Sequence, residues 1–87
     1  MASGTIYLNE AHKKNITGTV ADGVINVDPN DIPGTPIFAY DGGGWNWSIS
    51  RSSGRWRFMG FSMSGSSITH PANGERTITV TYLSLVS

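Results

Sequence analysis

The sequence predicts an all-β domain, a small antiparallel β-sandwich or open barrel of about six to seven short strands. Three observations carry this expectation. Apolar and β-branched residues recur at every second position in several short runs, which is the period of a half-buried strand. Eleven glycines and a large complement of Ser and Thr punctuate those runs, as turns require. The one stretch that could make a helical turn, Glu10 to Lys14, repeats nothing apolar at i+3 or i+4, so a packed helix there would have no face to bury.

The elements follow in order. Thr5 to Leu8 alternates and reads as a short strand, and the polar stretch Asn9 to Asn15 reads as an exposed loop. Ile16 to Val20 and Val24 to Val27 form a hairpin about Asp22-Gly23, a dipeptide suited to the positive φ of tight turns. Asp28 to Pro36 holds all but one of the prolines, and each removes a ladder donor, so it reads as a loop. Ile37 to Tyr40 is a short strand leading into Asp41-Gly42-Gly43-Gly44, a flexible turn.

Trp45 to Ser50 alternates strictly, with Trp45, Trp47 and Ile49 on one face and Asn46, Ser48 and Ser50 on the other. A return strand, Arg55 to Phe61, follows. A two-residue turn at Ser53-Gly54 pairs Ile49 with Phe58, whereas a four-residue loop pairs Ile49 with Trp56 and Trp47 with Phe58. In either register Trp47, Ile49, Trp56 and Phe58 share a buried face. Ser62 to Asn73 is rich in Ser, and Asn73-Gly74 marks a turn. Arg76 to Val86 is a long final strand, with Ile78, Val80, Tyr82 and Val86 facing one way and Thr77, Thr79 and Thr81 the other. Leu83 and Leu85 interrupt the polar side, which implies cover on both faces there.

At 87 residues the chain supports one core and a single domain, 1–87. Such a core yields about 3–5 kcal/mol of net stability, and small domains commonly add disulfides, a metal or partner chains. There is no Cys, so disulfides and thiolate zinc sites are excluded, and a homo-oligomer is the expected alternative. Six basic and six acidic residues cancel, leaving no field to draw in nucleic acid or an anionic membrane. The first residues lack a charged n-region and an apolar stretch. Synthesis in the cytoplasm without a signal peptide is expected, with the virion as a possible destination.

Catalytic signatures are weak. Gly60-Phe61-Ser62-Met63-Ser64-Gly65 approaches a nucleophile elbow, but its second glycine is one position late. His70 has no acidic neighbour in sequence, and His12 and His70 lack metal-ligand spacing. Asp28, Asp31 and Asp41 do not have the spacing of a calcium loop and suit turns. Asn15-Ile16-Thr17 and Asn46-Trp47-Ser48 match the glycosylation acceptor pattern. The expectation is a protein that is not an enzyme and uses no cofactor or metal.

Binding is the better-supported chemistry. Tyr40, Asp41, Trp45, Asn46 and Trp47 with the triple glycine combine aromatic faces with short polar groups, as carbohydrate recognition needs. Arg51, Arg55 and Arg57, interleaved with Trp56 and Phe58, form either a base-stacking surface or a solvated face. Neutral net charge favours the second. Candidate ligand-binding residues are therefore Tyr40, Asp41, Trp45, Asn46, Arg51, Arg55 and Arg57.

The opening Met1-Ala2-Ser3-Gly4-Thr5-Ile6-Tyr7-Leu8-Asn9, with Trp47-Ser48-Ile49, Gly54-Arg55-Trp56 and the Thr-rich terminal strand, resembles small β-rich proteins of tailed bacteriophages encoded among tail and tail-fibre genes. The resemblance implies a virion or host-adsorption role, with other virion proteins or a cell-surface glycan as partners. A free-standing carbohydrate-binding lectin and a small phage inhibitor of one host protein are the alternatives.

Overall fold

The computed structural model describes residues 8–86, and Thr5 to Tyr7 lie outside them. Among the described residues the fold is all-β: seven antiparallel strands in one curled sheet that forms a half-barrel. The open barrel, rather than two stacked sheets, is the architecture adopted. The strands are β1 (Leu8–Val20), β2 (Val24–Val27), β3 (Thr35–Tyr40), β4 (Asn46–Ser52), β5 (Arg55–Ser64), β6 (Ser67–Thr69) and β7 (Gly74–Val86). Their spatial order is β1-β7-β3-β4-β5-β2, with β6 pairing to β5.

The strand β1 runs through Asn9 to Asn15, where a loop was expected. It pairs residue for residue with β7, from Leu8 opposite Val86 to Val20 opposite Gly74. The reason is that an edge strand beside a long apolar and Thr-rich partner obtains its ladder from the backbone, so polar side chains do not prevent it. The side chains of Asn15 and Thr17 add cross-strand bonds: Thr79 Oγ1 donates to Asn15 Oδ1 at 3.0 Å, and Thr17 and Thr77 hydroxyls meet at 2.7 Å. Lysines on an edge strand also discourage unwanted pairing.

The Asp22-Gly23 turn forms as expected, with positive φ at both residues (53° and 80°), the requirement of a type I′ turn. Its strands then part. Only Ala21 and Val24 bridge across it, and β2 takes β5 as its partner, with Ile25 opposite Phe58 and Val27 opposite Trp56. The turn thus joins the two edges of the sheet instead of closing a two-stranded hairpin. It is the corner at which the sheet curls back on itself.

Between β2 and β3, Asp28 caps a 3-10 turn, Pro29–Asp31, by accepting the Asn30 amide at 2.9 Å. Ile32 behind it is buried in the core. The strand β3 starts at Thr35, earlier than the prolines suggested. The ladder to β7 skips Ile37, so that Pro36 faces Tyr82 and Phe38 faces Thr81. This bulge admits a proline to the strand and pushes Ile37 to the surface.

The β4–β5 hairpin adopts the two-residue register: Ser53 and Gly54 have φ of 53° and 74°, and Ile49 pairs with Phe58. The four-residue alternative is not formed. Trp47 therefore lies opposite Gly60 and Arg51 opposite Trp56. A Cβ on Gly60 would sit 2.9 Å from the Trp47 ring and 2.8 Å from that of Pro71, so the close approach of these rings depends on hydrogen at that position. The strand β5 continues to Ser64 and folds back as β6, so that the Ser-rich stretch contributes a hairpin.

The core on the concave side holds Ile16, Val20, Ile25, Val27, Ile32, Ala39, Trp47, Phe58, Ile78 and Val80. Trp45, Ile49, Trp56 and Tyr82 pack against it. Phe58, Ile78 and Val80 are wholly inaccessible, and burying a side chain of this size contributes roughly 1.5–3 kcal/mol. The segment from His70 to Asn73 closes the corner. His70 Nδ1 lies 2.7 Å from the Gly60 carbonyl oxygen, the Gly60 amide donates to the Gly23 carbonyl at 2.9 Å, and Asn73 Oδ1 accepts from the Asp22 amide at 3.0 Å.

Candidate functional site

Strand alternation sorts the candidate residues onto two faces. With Phe58 and Trp47 inward, Asn46, Ser48, Ser50, Arg55 and Arg57 point to the convex side, while Arg51 shares the concave side with Trp56. Arg51 stacks on Trp56, its guanidinium carbon 4.8 Å from the ring centroid. The three arginines consequently form no common face, because the two-residue turn puts Arg51 across from Trp56.

Asp41 and Trp45 turn inward. The Asp41 side chain is only 2% exposed; Arg76 Nη1 donates to its Oδ2 at 3.0 Å and the Gly43 amide to its Oδ1 at 2.9 Å. The second contact is a turn in which the side chain replaces a backbone acceptor. The first ties the loop after β3 to the start of β7. Trp45 packs partly buried beside them, and the Gly43 position is hemmed in by both Arg76 and Trp45. In this arrangement the carboxylate holds the loop rather than facing solvent.

Tyr40 and Asn46 face each other across the β3–β4 ladder, and both are exposed. They belong to a row of five on the convex face: Asn15, Thr79, Tyr40, Asn46 and Phe61, set by successive registers. The next row brings Lys13, Thr81 and Phe38 together. Phe38 is 56% exposed and Tyr40 39%, with ring centroids 5.8 Å apart and planes inclined at 34°. The Lys13 ammonium stands 5.9 Å from the Tyr40 centroid.

Phe38, Lys13, Asn15 and Thr79 were not among the sequence candidates. Alternation about Ala39 was the available signal for Phe38, since it places Phe38 with Tyr40. Lys13 and Asn15 were hidden by the loop reading of their segment, and their neighbours lie far along the chain.

The histidines are engaged locally: His12 stacks on Tyr82 at 5.4 Å with its Nε2 3.4 Å from Glu10, and His70 meets the Gly60 carbonyl. Among the described residues no three His, Asp or Glu side chains cluster as metal ligands, and no enclosed pocket forms. The Trp47 indole N–H is buried without an acceptor among the described residues. No helix among them is long and apolar enough to cross a membrane. Compared with family models, curated proteins and solved structures, the chain matches none.

Proposed function

We propose that this chain is a non-enzymatic binding or assembly module, a tail-associated structural or host-adsorption protein of a bacteriophage, that works by surface complementarity. The observation supporting a binding role is the exposed Phe38 and Tyr40 pair on an open sheet face, since adjacent large aromatics left in water mark interaction surfaces. The phage setting rests on the sequence resemblance. Self-association belongs to the proposal, since a core of this size without Cys commonly gains stability from partner chains.

The test is fractionation of infected or induced cells for the full chain. Co-sedimentation with purified tail particles supports the reading. Absence from those particles, together with a stable complex with one soluble host protein, overturns it in favour of an inhibitor.

A further inference from the structure

We propose that the convex face around Phe38 and Tyr40 is a platform for an acidic saccharide, an inference that rests on the reading of the chain as a binding module. Sugar rings present apolar C–H faces and hydroxyl edges, so they require an aromatic surface bordered by short neutral donors and acceptors. That combination is assembled here by register: the two exposed rings are flanked by Asn46 on one side and by Thr79 and Asn15 on the other. The bond from Thr79 Oγ1 to Asn15 Oδ1 at 3.0 Å occupies the amide oxygen and leaves its NH₂ group to donate outward.

Charge selects the class of saccharide. The chain is neutral overall, but its acids and bases are not evenly placed. Lys13 stands at the platform itself; Arg57 and Arg55 lie on the same face, four and six residues along β5 from Phe61, against one carboxylate among the described residues there, Glu75, four residues along β7 from Thr79. Asp41 is turned inward, Glu10 shares the inner face with His12, and Asp22, Asp28 and Asp31 lie in turns. Among the described residues no carboxylate pairs with Lys13, whose ammonium stands beside the Tyr40 ring.

Two other occupants fit less well. A second copy would bring its own Lys13, Arg55 and Arg57 against these, and like charges across an interface are unfavourable. A single-stranded nucleic acid needs rings spaced to stack successive bases, yet Phe38 and Tyr40 are 5.8 Å apart and inclined to each other, leaving no slot between them.

The full chain would be applied to a printed array of neutral, uronic, sialylated and sulfated glycans, then titrated with a hyaluronan hexasaccharide, neutral chitohexaose and (dT)10. Preference for acidic glycans is expected. Phe38→Ala and Tyr40→Ala each weaken binding about tenfold or more, as buried aromatic anchors do. Lys13→Gln removes the preference for the acidic over the neutral sugar, and Lys14→Gln, opposite Val80 on the other face, leaves binding unchanged. Both aromatic side chains are exposed, so thermal melts of these variants should match the parent. No binder on the array, equal or tighter binding of neutral sugars or (dT)10 by the parent chain, or binding that survives both aromatic substitutions overturns the inference. A chain that co-sediments with tail particles yet binds no glycan loses this inference alone; one that does neither loses the binding-module reading as well.

Discussion

Gly60→Ala should destabilise the domain although it adds only one methyl group. That methyl would lie 2.9 Å from the Trp47 ring and 2.8 and 3.0 Å from two Pro71 carbons. Comfortable carbon separations are about 3.5–4.0 Å, so the neighbours must retreat by roughly 0.6–1.2 Å on both sides at once. Neither is free to do so. Trp47 is set directly across the ladder from Gly60, and Pro71 follows His70, whose ring is bonded to the Gly60 carbonyl. Overpacking of this kind costs about 1–3 kcal/mol, reduced by the roughly 0.5–1 kcal/mol that alanine gains over glycine in a strand.

Taking the middle of both ranges, the net loss is about 1.2 kcal/mol, which at about 4–8 °C per kcal/mol for a domain of this size lowers Tm by roughly 5–10 °C. Thermal and urea unfolding followed by tryptophan fluorescence measure it. Gly42→Ala, which meets open space, provides the contrast and should stay within about 0.5 kcal/mol. In a Trp47→Phe background, which removes the ring atom facing the new methyl, the cost of Gly60→Ala should shrink. A Gly60→Ala protein as stable as its parent would refute the close-packing account of this corner.

Phe58→Ala removes a wholly buried ring and should cost about 3–5 kcal/mol, comparable to the whole net stability of a core this small, so a large unfolded fraction is expected at room temperature by far-UV circular dichroism. Arg76→Ala should destabilise more than Arg55→Ala in urea titrations, because it strips the partner from an Asp41 side chain that is 2% exposed, whereas exposed charges contribute about 0–1 kcal/mol. Gly23→Ala places a side chain at φ of 80° and against the His70 ring; a loss of more than about 1 kcal/mol is expected in the same assay. Light scattering at micromolar concentration checks self-association, and a stable monomer would remove it from the proposal.

The local chemistry of the fold was readable. Asp22-Gly23 and Ser53-Gly54 announced their turns through residues that accept positive φ, and the alternation of β4, β5 and β7 placed Trp47, Phe58, Ile78 and Val80 inside. What escaped was partner choice. Nothing in Val24 to Val27 says that it will leave β1 for β5, because that depends on how the whole sheet curls. Asn9 to Asn15 looks like a loop in isolation and becomes a strand beside Thr79 and Thr81, more than sixty residues away. The small β6 has no buried side to pattern it. The same limit applied to the candidate site. Tyr40 and Asn46 were visible, but the ion pair that turns Asp41 inward joins positions 35 residues apart, and Arg51 changed face with the choice of turn register.

The strand β7 stands between β1 and β3, and this position has a kinetic consequence. Residues 8–20 and 35–40 both find their ladder in residues 74–86, so neither can be completed until that segment has been synthesised and has threaded itself between them. Sheets dominated by such distant pairings close in milliseconds to seconds rather than microseconds. During translation the Trp-rich β4–β5 hairpin would emerge before β7, with its aromatic side incompletely covered, the period in which misassociation with other nascent chains is most dangerous.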